Sequence, residues 1–166
     1  FGKTTCCKIL AGYEQPDEGE VLLDGKPLSS YRGYCPVQMI WQHPEQAVNP
    51  KKRMKDVLKE GDKVETRIIR ELGIEEGWMM RFPGELSGGE LQRFCIARAL
   101  GERTRLLLAD EITAMLDLIT QSQIWNFILR ETASRGIGLL VVSHNEELLQ
   151  KTVSRRIEWD KNIEDG

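Results

Sequence analysis

The chain has 166 residues, 40% hydrophobic and 30% charged, the balance of one soluble globular domain with a single core. A net charge of −3 speaks against general nucleic-acid binding, and no apolar run approaches the roughly 18 residues of a membrane-spanning helix. The four cysteines, Cys6, Cys7, Cys35 and Cys95, form no C-x-x-C pair and have only two histidines to help them, so reduced structural thiols are expected rather than zinc.

Taken in chain order, residues 3–11 read as a helix opening directly from a glycine and ended by Gly12. Residues 20–26 read as a hairpin with an Asp24-Gly25 turn, and 37–41 as a compact apolar strand ending at Gln42-His43-Pro44. Between 51 and 72 the apolar positions Met54, Val57, Leu58, Val64, Ile68, Ile69 and Leu72 mark two amphipathic helices broken near Gly61. Residues 89–100 form a helix leading into a strand over 105–110, whose Leu106, Leu107 and Leu108 predict burial on both faces. A helix over 118–134 closes at Arg135-Gly136. A second central strand is expected over 137–143, then a helix over 145–151 and a final edge strand over 155–159. Strands alternating with helices imply parallel βαβ units. The helices-only stretch 43–94 reads as a subdomain inserted into an α/β core made of 1–42 and 95–166.

Three segments carry chemistry. Phe1-Gly2-Lys3-Thr4-Thr5 is the back half of the phosphate-loop pattern G-x-x-x-x-G-K-[ST]. Unpaired N–H groups at the helix start suit an anion. Lys3 would reach β- and γ-phosphates, Thr4 would ligate Mg²⁺, and Thr5 would touch the α-phosphate. In Arg105-Leu-Leu-Leu-Ala-Asp110-Glu111 an apolar strand delivers two carboxylates to the carboxyl edge of a sheet, where ligands bind in open α/β folds. Asp110 would hold Mg²⁺ and Glu111 would polarise an attacking water. Leu86-Ser87-Gly88-Gly89-Glu90 contains the capping box Ser87-x-x-Glu90, which explains a helix start. It does not explain Gly88 and Gly89, each of which weakens a helix by about 1 kcal/mol. Paired glycines suit a backbone that a phosphate must approach, giving a second anion site. One nucleotide does not easily span both sites of one chain, so two chains facing head to tail are the economical arrangement.

The ordered set resembles the nucleotide-binding subunit of ATP-binding-cassette transporters. It comprises Gly2-Lys3-Thr4-Thr5, Gln42, Leu86-Ser87-Gly88-Gly89-Glu90, Leu106 to Glu111, Ala114-Met115-Leu116-Asp117, and His144 within Val-Val-Ser-His. The resemblance covers essentially the whole chain. It implies a P-loop NTPase (RecA-like) α/β core with a mostly parallel sheet and an inserted helical subdomain, binding ATP and Mg²⁺ and hydrolysing ATP. Under it, Gln42 would contact Mg²⁺ and the attacking water and relay the state of a membrane partner, His144 would hydrogen-bond the γ-phosphate, and Asp117 would cross a dimer interface. Arg93 would support the signature helix or stand as a surface residue. The motif also implies that the chain starts inside the phosphate loop, with early strands and an adenine-stacking aromatic upstream. An exposed sheet edge and weak activity of these residues by themselves are therefore expected.

The run Gln42-His43-Pro44-Glu45-Gln46-Ala47-Val48-Asn49-Pro50, with Leu118-Ile119-Thr120-Gln121-Ser122-Gln123-Ile124, resembles the oligopeptide, dipeptide and nickel uptake subfamily. This implies an importer ATPase on the cytoplasmic face of the membrane. Its partners would be a second ATP-binding subunit, transmembrane permeases and, indirectly, an extracytoplasmic substrate-binding protein. Permease contact would use 42–50 and the apolar Trp78, Met79, Met80 and Phe82, of which Trp78-Met79-Met80 read equally as core of the helical subdomain, whereas Lys51, Lys52, Arg53 and Lys55 read as a solvated face. Ile112 stands where the family usually has Pro, Met115-Leu116 where Ala-Leu is usual, and Glu90 where Gln is commoner; none removes a charge or nucleophile. The alternatives are a non-transport cassette ATPase, disfavoured by the short interval between Gln42 and Leu86, and an inert fragment.

Overall fold

A computed structural model describes residues 2–157. Helix α1 (Lys3–Leu10) starts on Gly2, whose left-handed backbone (φ 83°) carries no side chain into the turn. A two-stranded antiparallel hairpin follows, β1 (Leu22–Leu23) and β2 (Lys26–Pro27). Its turn residues, Asp24 (φ 51°) and Gly25 (φ 74°), adopt the left-handed conformations that a tight two-residue hairpin turn needs to match right-handed strand twist.

Strands β3 (Val37–Ile40), β4 (Leu106–Asp110) and β5 (Gly138–Val142) form a parallel sheet in the order β3-β4-β5. Ile40 pairs with Ala109, and Asp110 with Val142. Because all three strands run the same way, Trp41-Gln42, Asp110-Glu111 and Ser143-His144 leave the sheet at one edge. β4 is central: Leu107 and Ala109 are buried on one face and Leu108 on the other.

β5 departs from the expectation of a second central strand. Among the described residues it pairs with β4 alone, Gly138 is exposed, and the other four residues are half-buried. Leu139 and Val141 pack toward one core, Leu140 and Val142 toward the other. An apolar run reports that both faces are covered; it carries no information about whether a strand pairs along each edge. The edge strand expected over 155–159 is absent over 155–157, and 158–159 lie outside the described residues.

Between β3 and β4 the regular structure is helical throughout. A 3₁₀ turn (Pro44–Ala47) leads to α2 (Met54–Lys59), α3 (Thr66–Glu71), two further 3₁₀ turns (Glu76–Met80, Pro83–Glu85) and α4 (Gly88–Ala99). Helix α5 (Leu118–Arg135) closes on Gly136 in the left-handed conformation, and α6 (Glu146–Thr152) starts on an Asn145 cap. The larger core joins Met54, Val57 and Ile68 of α2 and α3 to Phe94 and Ile96 of α4, Leu107 of β4 and Ile128 of α5, all fully buried. The smaller core holds α1 against the other sheet face through Cys7, Ala11, Val37, Met39 and Leu108.

An ion-pair network ties α3 to α5. Arg67 donates from Nη1 to Glu131 Oε2 and from Nη2 to Glu131 Oε1, each at 2.9 Å, and Arg135 approaches the same carboxylate at 3.4 Å. Glu131 is 1% exposed, so these guanidinium groups replace its hydration.

Candidate functional site

The smaller core presses α1 against the sheet and so carries the glycine-lysine-threonine segment to the carboxyl edge. There Thr4 Oγ1 donates a 2.7 Å hydrogen bond to Asp110 Oδ2 across 106 residues of sequence. Asp110 is 3% exposed, held as the last residue of β4 by its pairing with Val142, while Thr4 lies at the surface. A hydroxyl and a carboxylate oxygen side by side, with no nitrogen or sulfur donor among the predicted ligands, form a set suited to Mg²⁺, which keeps most of its waters and takes only one or two protein oxygens. Cys7 lies beneath, and burial, with Asp110 nearby, pushes its thiol up to about 12, so it is an inert packing group.

Glu111 follows at φ 49°, a left-handed conformation that a residue with a Cβ adopts at an energetic cost. Its N–H donates to Val142 O at 2.9 Å, so the β4–β5 ladder continues through the strained residue. The turn aims its carboxylate at the end of β5, where the His144 backbone N–H donates to Oε1 at 2.6 Å and the Ser143 hydroxyl lies 3.4 Å from Oε2. His144 Nε2 is 3.8 Å from Oε1, with 84% of the imidazole side chain exposed. Gln42 stands half-buried just past β3 and, among the described residues, makes no side-chain hydrogen bond to Thr4, Asp110 or Glu111. Lys3 is half-buried on the first turn of α1, and Thr5 is exposed beside Thr4.

The second group of predicted residues lies at the start of α4. Ser87 Oγ accepts from the Glu90 N–H at 3.2 Å, and Glu90 Oε2 accepts from the Ser87 N–H at 2.9 Å, completing the capping box. A Cβ placed on Gly88 would meet nothing within 4 Å, and one on Gly89 would touch only Leu116 Cδ2 at 3.4 Å. Packing inside the chain therefore does not demand either glycine. Asp117 caps α5: its Oδ1 accepts from the Thr120 N–H at 3.0 Å and Oδ2 from the Thr120 hydroxyl at 2.7 Å. These bonds hold its carboxyl below the ordinary value of 3.8. An open cleft of about 540 Å³ lies between the two helix starts, lined by Ser87, Gly89, Glu90, Arg93, Leu116 and Asp117 among others. The predicted residues thus fall into two sets, one at the sheet edge and one along this cleft.

Sequence reasoning passes over two participants. Ser143 had a signal in its place just before His144. Gln92 had a subtler one: a polar amide between Leu91 and Phe94 on the buried face of α4. It is 2% exposed, and its Nε2 donates to Trp41 O at 3.1 Å and to Ile112 O at 3.0 Å.

The family model described as ABC transporter matches residues 1–114. The chain is 32% identical to the nickel import ATP-binding protein NikE of Rhodospirillum rubrum, over 96% of its own length and 64% of that protein. It is 28% identical to NikE of Escherichia coli K12, covering 96% of the chain and 66% of the relative. It is also 29% identical to the oligopeptide transport ATP-binding protein OppF of Streptococcus mutans, covering 99% and 60% respectively. The chain thus spans less than two thirds of the length of these relatives. Among solved structures, a dimeric post-hydrolysis ATP-binding cassette bound to ADP and Pi superposes with a TM-score of 0.73 at 23% identity, covering 89% of this chain and 72% of that one. An ATP-binding subunit of an ABC transporter gives 0.75 at 21% identity, covering 91% and 67%. At such identities these two structures speak to the fold, a P-loop-type α/β cassette.

Proposed function

This chain belongs to the ABC transporter family, and from that premise we propose that it is the ATP-binding and ATP-hydrolysing part of a subunit energising an importer of peptides or nickel. The observation that carries the reading is the Thr4–Asp110 hydrogen bond, which joins the phosphate-loop hydroxyl to the acid at the end of β4. The backbone N–H groups at the start of α1, with Lys3 and Thr5, bind and orient the phosphates. Thr4 and Asp110, with Gln42, would hold Mg²⁺, which would supply neutralising charge to the phosphates.

Glu111 is the general base. Its strained backbone and the His144 N–H fix one carboxylate oxygen, and the other takes a proton from water. The exposed His144 imidazole, its Nε2 3.8 Å from Glu111 Oε1, would donate to the γ-phosphoryl group. Catalysis is then positioning and electrostatic stabilisation at one sheet edge.

Ser87, Gly88, Gly89 and Glu90 form a second phosphate-facing surface. Two glycines kept free of side chains, one with nothing in the space beside it and the other with only Leu116 Cδ2 at 3.4 Å, favour an approach from outside the chain. We read this as the ATP of a second, head-to-tail subunit, with Asp117 near the shared interface. In this reading 43–94 is a helical subdomain that carries the signature to the partner, and 1–42 with 95–166 is the ATPase core. Permease subunits meet the helical part, and an extracytoplasmic binding protein delivers cargo on the far side. Among the described residues no helix is long and apolar enough to cross a membrane. The kinship with importer ATP-binding proteins supports a subunit on the cytoplasmic face. The kinship with nickel and oligopeptide ATP-binding proteins supports the choice of cargo.

The test is Glu111→Gln in the full-length protein. With Mg·ATP it is expected to accumulate as an ATP-bound dimer by light scattering, with hydrolysis reduced at least a hundredfold, on the order of a lost general base. A variant that hydrolyses ATP normally, or stays monomeric with ATP bound, would refute the catalytic assignment or the shared site respectively.

A further inference from the structure

Gln92 presents an unusual balance of polar groups. It sits on α4 one turn past Ser87, 2% exposed, and both of its donated hydrogen bonds leave the helix. One goes to the carbonyl of Trp41, the residue immediately before Gln42. The other goes to the carbonyl of Ile112, the residue immediately after Glu111. The amide can make these bonds in one orientation only, because the reversed amide would turn its oxygen toward two carbonyls. Its Oε1 is then left buried with no hydrogen-bond partner, the one such side-chain atom among the described residues. A buried acceptor without a partner is destabilising. An apolar side chain would avoid that penalty, but it would leave the two loop carbonyls unheld.

The loops concerned are those the proposed chemistry depends on. Glu111 is held at φ 49°, and its loop is also held by Glu111 N–H to Val142 O at 2.9 Å, Ala114 N–H to Glu111 O at 3.1 Å, the His144 N–H to Glu111 Oε1 at 2.6 Å and Trp125 Nε1 to Thr113 Oγ1 at 3.0 Å. None of these bonds reaches across to β3. Gln92 is the side chain that ties the ends of β3 and β4 to one another and both to α4.

We propose that Gln92 is a positioning residue: it fixes the Gln42 and Glu111 loops relative to each other and couples them to the helix that carries Ser87 and Gly88. The inference rests on the ATPase reading above. It gives a displacement at the start of α4, which faces the second nucleotide in that reading, a short path to the catalytic loops of the same chain.

The experiment compares full-length wild type, Gln92→Met and Gln92→Glu. Met keeps size and loses both donors; Glu keeps size and polarity and keeps at most one donor, its O–H when protonated. Both are expected to lower kcat roughly ten- to a hundredfold, the scale of a small misplacement of reacting groups, with KM for ATP within about twofold of wild type. In a Glu111→Gln background, Gln92→Met is expected to keep the ATP-bound dimer, because the cap and glycines of α4 are untouched. Unchanged kcat in a folded variant overturns the inference. So does a parallel loss of ATP binding and dimer formation, since that would make Gln92 a support for α4 alone. If Met does not fold, Glu carries the same readouts. Absence of hydrolysis in wild type overturns the ATPase reading itself, whereas normal wild-type turnover with indifferent variants overturns only the role of Gln92.

Discussion

Gly88 and Ser87 lie side by side at the start of α4 and have opposite energetics. Ser87 stabilises the helix through a reciprocal cap, whereas Gly88 weakens it, occupies ordinary helical backbone and has nothing within 4 Å of an added Cβ. Gly88→Ala is therefore expected to raise the unfolding free energy by about 0.5–1 kcal/mol, while sharply reducing ATP hydrolysis. Denaturant unfolding and steady-state turnover on the same variant check both halves. A loss of stability would mean that the chain itself needs this glycine. Thr4 and Asp110 make a related point: neither residue type is distinctive by itself, and their 2.7 Å contact is what marks them as a pair.

Helix α3 is six residues long and lacks a side-chain cap, so its position depends on what it packs against. Ile68 supplies the apolar anchor and Arg67 the polar one, through Glu131 on α5. The Arg67 guanidinium, by hydrogen bond and then charge, holds the Glu131 carboxyl below its ordinary value of 4.5. A carboxylate depressed in the folded state contributes stability above its unfolded pKa and loses it as pH falls through the folded one. Wild type is thus expected to lose this contribution progressively below about pH 4.5. Glu131→Gln should be less stable at pH 7, by roughly 1 kcal/mol, and show a flatter stability profile on the acid side. Melting curves from pH 7 to pH 3 would decide it, and parallel profiles would exclude the pair as the source. The two helices of 51–72 and their break near Gly61 are legible from apolar spacing, but this cross-link is not, because 64 residues separate its partners.

At the scale of the whole molecule, three large apolar side chains stand exposed around Asp117: Met115 at 72%, Leu118 at 79% and Ile119 at 73%. In the head-to-tail reading they lie close to the partner. Leu118→Asp with Ile119→Asp is expected to weaken the ATP-dependent dimer of the Glu111→Gln protein at least tenfold while leaving the monomer's melting temperature within a few degrees. Analytical ultracentrifugation with and without Mg·ATP measures this, and an undiminished dimer would move the interface elsewhere.

The sequence by itself determined the order of the elements from α1 to α6 and the parallel α/β class, and it pointed to the motif residues, because these are written in local terms: apolar period, turn glycines, caps and acids at strand ends. Local patterns also marked β4 as buried on both faces. They predicted a central β5, which among the described residues pairs with β4 alone, since hydrophobicity reports covered faces and leaves edge pairing unspecified. Only the tertiary structure decided that Thr4 meets Asp110, that Glu111 turns back onto the His144 backbone, and that Gln92 ties two loops to α4. Those contacts join residues 20 to 106 positions apart. They exist because the parallel sheet brings three strand ends to one edge, a consequence of the whole fold that no single stretch of the chain contains.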